Sequence, residues 1–241
     1  MSIKALETYL QPLERIFALP NVAEISINQP GEAWVEIKGE MHKEHLPEFD
    51  LNHLKALGRL VAQSTEQMIS EEKPILSATL PQGYRIQVIF PPACEPGSVV
   101  MSIRKQTILN MDLGDYEAIG AFQSTVSEEQ EDSLNQVLSD LLDKGEIRKF
   151  LSAAVKGRKN IIISGGTSTG KTTFMNAALK EIPHHERLIT AEDAREIDLK
   201  WHPNKVHLVA SRGGQGRALV STQDLIEACL RLRPDRIIVG E

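Results

Sequence analysis

Eight consecutive residues constrain this chain more than any others. Gly165-Gly166-Thr167-Ser168-Thr169-Gly170-Lys171-Thr172 fits the pattern Gly-x-x-x-x-Gly-Lys-[Ser/Thr] without a gap. The octet follows a continuous apolar run, Asn160-Ile161-Ile162-Ile163-Ser164, and leads into a helical stretch from Thr172 to Lys180. Such an apolar run predicts a strand buried on both faces, as in a parallel sheet. Strand, glycine-rich turn and helix in that order make an anion nest. Gly165 and Gly170 let successive backbone N–H groups converge, and the helix adds its positive N-terminal end. Gly166, Thr167, Ser168 and Thr169 supply further backbone to the cradle, and Thr173 continues the first helical turn. Lys171 brings a point charge to β- and γ-phosphates, while the Thr172 hydroxyl is a hard oxygen ligand for a bridging Mg²⁺. The implied ligand is ATP or another nucleoside triphosphate with magnesium. By ordinary residue usage the pattern arises in roughly one chain in a hundred of this length, so the setting between strand and helix separates it from a surface turn.

The rest of the chain divides by period. At 241 residues, two domains are expected. After the octet, Arg187 to Ala191, Val206 to Ala210 and Arg236 to Val239 are short apolar runs separated by helical stretches, which predicts βαβ units and a parallel sheet. Before it, helical and strand-like pieces alternate differently. Ile3, Leu6, Leu10, Leu13 and Phe17 step at helical intervals around Pro12, which breaks the helix. Two alternating segments flank Gln29-Pro30-Gly31-Glu32 and predict a two-stranded meander. Asp50 caps a helix whose Leu51, Leu54, Leu57 and Val61 form one stripe, and strands follow at Ile75 to Leu80, Tyr84 to Phe90 and Val99 to Arg104. The predicted architecture is an α+β N-terminal domain over 1–105, an acidic linker over 106–130 and an α/β phosphate-loop domain over 131–241.

Composition excludes several classes. Lys and Arg total 27 against 33 Asp and Glu, leaving −6, a poor footprint for a protein that chiefly neutralises a nucleic-acid backbone. Two cysteines, Cys94 and Cys229, support neither a disulfide framework nor a zinc site, and a reducing cytoplasmic setting fits. No apolar run approaches a membrane span, so membrane association is expected to be peripheral. His184, His185, His202 and His207 read as surface or loop residues rather than ligands.

Phosphoryl transfer to water needs carboxylates at the ends of parallel strands. Arg236-Ile237-Ile238-Val239-Gly240-Glu241 closes an apolar strand on a carboxylate, the arrangement of a Walker B segment, and Leu188-Ile189-Thr190-Ala191-Glu192-Asp193 ends in two. A solvated acid after a strand is the plainer alternative for each.

The combination of GGTSTGKT, ITAEDAREI and LRLRPDRIIVGE, in that order and spacing, resembles the secretion traffic ATPases. LPQGYRIQVIFPP and SIRKQ resemble the type IV secretion branch of that family. The resemblance implies a homo-hexameric ring motor with a RecA-like C-terminal domain. Such a motor hydrolyses ATP for substrate transfer or pilus biogenesis beside other secretion subunits at the cytoplasmic face of the inner membrane. It also implies that Gly165 to Thr172 is the Walker A loop and Glu192 the acidic residue of the Asp box. Glu241 would be the Walker B glutamate, sharing the metal with Thr172. Arg85 and Arg104 match the family's N-terminal arginines that reach the phosphates, so that loss of the γ-phosphate would release the N-terminal domain. The family continues past its Walker B strand, so a RecA-like domain cut short after Glu241 is expected. A type II secretion or pilus motor is disfavoured by the lack of a four-cysteine module. A nucleotide-gated assembly module without turnover stays open.

Overall fold

Proline chemistry sets the first elements of the computed structural model, which describes residues 2–105, 112–123, 125, 133–211 and 216–240. Helix α1 (Ser2–Leu10) runs through a 3₁₀ turn at Gln11–Leu13 into α2 (Glu14–Phe17), because Pro12 cannot sit mid-helix. Strands β1 (Val22–Ile27), β2 (Gly31–Ile37) and β3 (Glu40–Leu46) form an antiparallel meander of three strands, where the sequence predicted two. The unforeseen β3, Glu-Met-His-Lys-Glu-His-Leu, is an outer strand with one fully buried residue, Leu46, so it has no apolar alternation to read. Lys38 (φ 52°) and Gly39 (φ 86°) supply the two left-handed residues that a tight hairpin turn demands.

Helix α3 (Leu51–Ser64) begins at Asp50, whose side chain accepts the His53 N–H at 2.7 Å, as predicted. Strands β4 (Ile75–Thr79), β5 (Arg85–Ile89) and β6 (Val100–Arg104) complete a six-stranded sheet of order β3-β2-β1-β6-β5-β4. One face carries Ile25, Ile86, Met101 and Ile103 into a core with Leu6, Leu10, Leu54 and Leu57 of the helices. The other face is polar from Glu24 and Arg104 to Gln87 and Ser102 and apolar beyond, at Ile89 and Val100.

Three of the later apolar runs form the predicted parallel sheet, β8-β7-β9, from β7 (Leu188–Glu192), β8 (Lys205–Val209) and β9 (Arg236–Val239). Between β8 and β9 lies a helix, Thr222–Cys229, started by a reciprocal capping box of Ser221 and Asp224. This sheet shares a core with the N-terminal one: Ile89, Ala93, Cys94 and Val100 pack with Ile189, Ala191, Leu208 and Leu225. The Val209 N–H donates to the Ala93 carbonyl at 3.0 Å. Met1–Gln106 and His184–Glu241 accordingly group as one compact unit, and Thr107–Pro183 as another.

Among its described residues the second unit holds four helices: α4 (Leu113–Ala118), α5 (Ser133–Asp143), α6 (Ile147–Lys156) and α7 (Lys171–Leu179), which makes the helix at Thr222–Cys229 α8. Gly145 (φ 68°) separates α5 from α6. The strand expected at Asn160 to Ser164 does not form: these residues are neither helix nor strand, and Ile162 is 93% exposed. Apolar, β-branched residues favour a strand only where a partner offers a ladder, and the parallel sheet here is built from the other three runs. Among the described residues no helix is long and apolar enough to cross a membrane.

Candidate functional site

The phosphate loop lies in the second unit and is shaped by its own bonds. The Thr169 hydroxyl donates to the Gly166 carbonyl at 2.8 Å, and Lys171 Nζ reaches back across the loop to the same carbonyl at 3.0 Å. Ser168 (φ 60°) and Gly170 (φ 86°) are both left-handed. Glycine takes that conformation freely, whereas Ser168 holds it at a cost of about 1–3 kcal/mol, a strain typical of ligand clamps. At Gly165 a Cβ would come within 2.7 Å of Thr169 Oγ1. Helix α7 starts at Gly170 with no side-chain cap and no acid in its first turn, the terminus an anion can complete.

Glu192 closes β7 in the other unit and is 1% exposed. One carboxylate oxygen accepts the N–H groups of Glu196 (2.9 Å) and Ile197 (2.8 Å). The other accepts the Thr190 hydroxyl at 2.8 Å and lies 3.8 Å from His207 Nδ1. Burial pushes this carboxyl upward, but the nearby His207 and the bonds from the two amides and Thr190 outweigh it and hold the pKa below the usual carboxylate range. His207 is buried on β8, not the surface or loop residue predicted, whereas His202 is buried but does lie in a loop. His207 Nδ1 meets the Thr190 hydroxyl at 3.0 Å, so the ring is spent on the network around Glu192. Gly240 packs on that glutamate: a Cβ there would lie 3.0 Å from Glu192 Cγ. Glu241 lies outside the described residues.

Arg85 and Arg104 stand directly opposite one another on β5 and β6, on the polar face. Like charges so placed repel, and neither guanidinium makes a hydrogen bond or ion pair with a described residue. Beside Arg104 in the next strand is Glu24, buried, with Ser102 Oγ donating to it at 2.5 Å. Burial raises the Glu24 pKa against the lowering influence of Ser102, Arg187 and Arg104. These side chains line a cavity of about 350 Å³ together with Gln87, Arg231 and Arg233. Arg233 is neutralised by Glu36 (2.6 Å) and Asp235 (3.0 Å). A fully buried Arg187 pins the surroundings, donating to Leu232 O (2.9 Å), Asn28 Oδ1 (2.7 Å) and Asn204 Oδ1 (2.5 Å). Burial draws its pKa down to about 10.

Residues 7–241 match the family described as Type II/IV secretion system protein. The chain belongs to that family. It is 37% identical over 236 residues to the Type IV secretion system protein VirB11 of Brucella suis biovar 1 (strain 1330), across 97% of this chain and 65% of the relative. It is 36% identical over 242 residues to the Type IV secretion system protein PtlH of Bordetella pertussis, across 98% of this chain and 70% of the relative. The chain thus spans about two thirds of the length of these relatives. A solved structure, the VirB11 ATPase from the Brucella suis type IV secretion system in complex with sulphate, matches with a TM-score of 0.91 at 36% identity, covering 98% of this chain and 71% of that one.

Among the predicted residues of this secretion-system chain, the structure brings Arg85 and Arg104 together on one sheet face, and places Glu192 in the same unit and the phosphate loop in the other. Sequence reasoning missed Glu24, Gln87, Arg231 and Arg233. The signal for Gln87 was present in Arg85-Ile86-Gln87-Val88-Ile89, where alternation puts Arg85 and Gln87 on one face. Among the described residues no cluster of His, Cys, Asp and Glu could hold a metal by itself. Cys94 and Cys229 are buried free thiols, pushed by burial up to about 11 and about 12, and so are not reactive at neutral pH.

Proposed function

We propose that this chain is the ATP-hydrolysing part of a ring motor that energises type IV secretion. The observation that carries the reading is the loop Gly165–Thr172, closed by Lys171 on Gly166 and opening into a helix start that no side chain caps. Its backbone amides and Lys171 would hold the β- and γ-phosphates, and Thr172, in the first turn of α7, offers the hard oxygen that Mg²⁺ prefers. Bound magnesium would neutralise the charge that develops on the phosphoryl oxygens. Glu241 is assigned to orient the attacking water and to share the metal. Glu192, its lone pairs already taken, serves as the positioning carboxylate that orders the turn after β7. Arg85 and Arg104 are assigned to hold an anion, which would relieve their mutual repulsion. The RecA-like layout, hexameric assembly, coupling of hydrolysis to domain motion, and attachment to partner subunits at the inner membrane extend the same reading from the relatives.

Steady-state phosphate release from the full-length protein tests it. Lys171→Ala and Glu241→Gln are each expected to abolish turnover, with binding of magnesium ATP lost in the first and retained in the second. Tight binding without turnover in the parent protein would point instead to an assembly module.

A further inference from the structure

The register of the N-terminal sheet sets four charges in one row. Glu36, Glu24, Arg104 and Arg85 stand opposite one another across β2, β1, β6 and β5, two acids followed by two bases. The two acids are held differently. Glu36 is neutralised by Arg233 at 2.6 Å, and Asp235 shares that guanidinium. Glu24 is 3% exposed and makes no ion pair with a described residue, although Arg104 is its cross-strand neighbour. Its Oε1 accepts the Ser102 hydroxyl at 2.5 Å, and its other oxygen accepts no hydrogen bond from a described residue. Glu24, Arg85 and Arg104 line one cavity of about 350 Å³ together with Gln87, whose buried Nε2 has no partner among the described residues. Unspent donors and one unspent acceptor thus share a single space, all within one compact unit.

We propose that Glu24 is a specificity-determining residue of this cavity, which admits an oxyanion only together with one proton and so takes hydrogen phosphate in preference to sulfate. This rests on the assignment of Arg85 and Arg104 as anion holders given above, and asks nothing of the phosphate loop. An oxyanion on the two guanidinium groups meets the open oxygen of Glu24, and two acceptors can share that place only with a proton between them. Like charges brought together out of water cannot both stay ionised. Hydrogen phosphate carries the proton on its own hydroxyl and donates it to Glu24 as a hydrogen bond. Sulfate carries none at neutral pH, so Glu24 must first take one from water. Burial is the largest influence on Glu24 and raises its pKa; Glu36 acts in the same sense, while Ser102, Arg187 and Arg104 oppose it. Arg85, Arg231 and Arg233 complete the charged lining.

Calorimetry with sodium sulfate and sodium phosphate tests this, on full-length protein carrying Lys171→Ala so that the loop contributes least. From pH 6 to pH 9 sulfate is expected to weaken toward about tenfold per pH unit once Glu24 is ionised, with close to one proton taken up per sulfate at pH 8 when buffers of different ionisation enthalpy are compared. Phosphate should change less than about twofold from pH 8 to pH 9 and take up almost none. Glu24→Gln keeps the shape and cannot titrate, so sulfate binding should become independent of pH and come within about threefold of phosphate binding at pH 8. Sulfate binding that is flat with pH before the Glu24 substitution, or equally steep after it, overturns the proposal. Should Glu24→Gln not fold, the proton count decides by itself: no uptake with sulfate overturns it. Arg85→Ala with Arg104→Ala separates the two levels. If both anions bind this variant undiminished, the reading of the arginine face fails; if they are lost from it while sulfate binding was indifferent to pH, the Glu24 assignment alone fails.

Discussion

On the function proposed above, the phosphate loop and the arginine face are two ways of preparing for an anion. The loop is contiguous, exposed and made of backbone, its shape set by a left-handed glycine, a strained serine and two bonds to one carbonyl. The face is dispersed over strands from residue 22 to residue 104 and made of side chains, placed by ladder register above a floor of buried hydroxyls and an amide. A backbone cradle can be written as a motif because its neighbours in space are neighbours in sequence. A side-chain cradle cannot, and each of its members looks ordinary until the strands are paired.

Three substitutions sharpen that contrast. The largest effect is expected from Arg85→Ala with Arg104→Ala. Two charge-assisted contacts at about 1.5–3 kcal/mol each predict at least a hundredfold weaker AMPPNP by calorimetry. Chemical denaturation of the same free protein should show it slightly more stable, because opposed like charges are gone. Loss of stability together with unchanged affinity would make the face structural. Gly170→Val should do the reverse. A β-branched residue at φ 86° costs about 1–2 kcal/mol, so nucleotide affinity drops about tenfold while hydrogen-exchange protection of β1, β5 and β6 stays as in the parent. If protection in those strands falls, the loop is not the self-contained device described.

The smallest effects separate two buried carboxylates by pH. Glu24 is raised in the fold, so the native state holds its proton more tightly, and stability declines as pH rises from 4.5 through its folded pKa. Glu192 is lowered, so its contribution is present above 4.5 and fades as pH falls through its folded pKa. Denaturation midpoints across pH 4 to 8 should therefore show Glu24→Gln gaining on the parent as pH rises. Glu192→Gln should trail the parent by a constant margin above about pH 5 and recover it as pH is taken below 4.5, so its series runs downward from there. Parallel curves would mean that neither carboxylate titrates as its surroundings dictate.

Much of the fold was legible because the deciding interactions are local. Pro12 broke the helix, Asp50 capped α3, and the apolar runs ending at Ala191, Ala210 and Val239 became β7, β8 and β9 to within a residue. What failed depended on partners. Strand β3 is polar because only its ladder with β2 holds it, and Ile161 to Ile163 have strand character with no ladder to express it. The histidine at 207 looked peripheral because nothing in its own segment announces the Thr190 hydroxyl across the parallel strand. For the site, the loop and the two arginines were readable as residue types in order. Glu24 and Gln87 were not, since their meaning arises from which strand lies beside which.

The core shared by Ile89, Ala93 and Val100 with Ile189 and Leu208 has a mechanical corollary. A nudge delivered to the guanidinium row cannot be absorbed by bending between the two sheets without opening tightly packed apolar surface. The strands that bear Arg85, Glu192 and Val239 are therefore bound into one packed body.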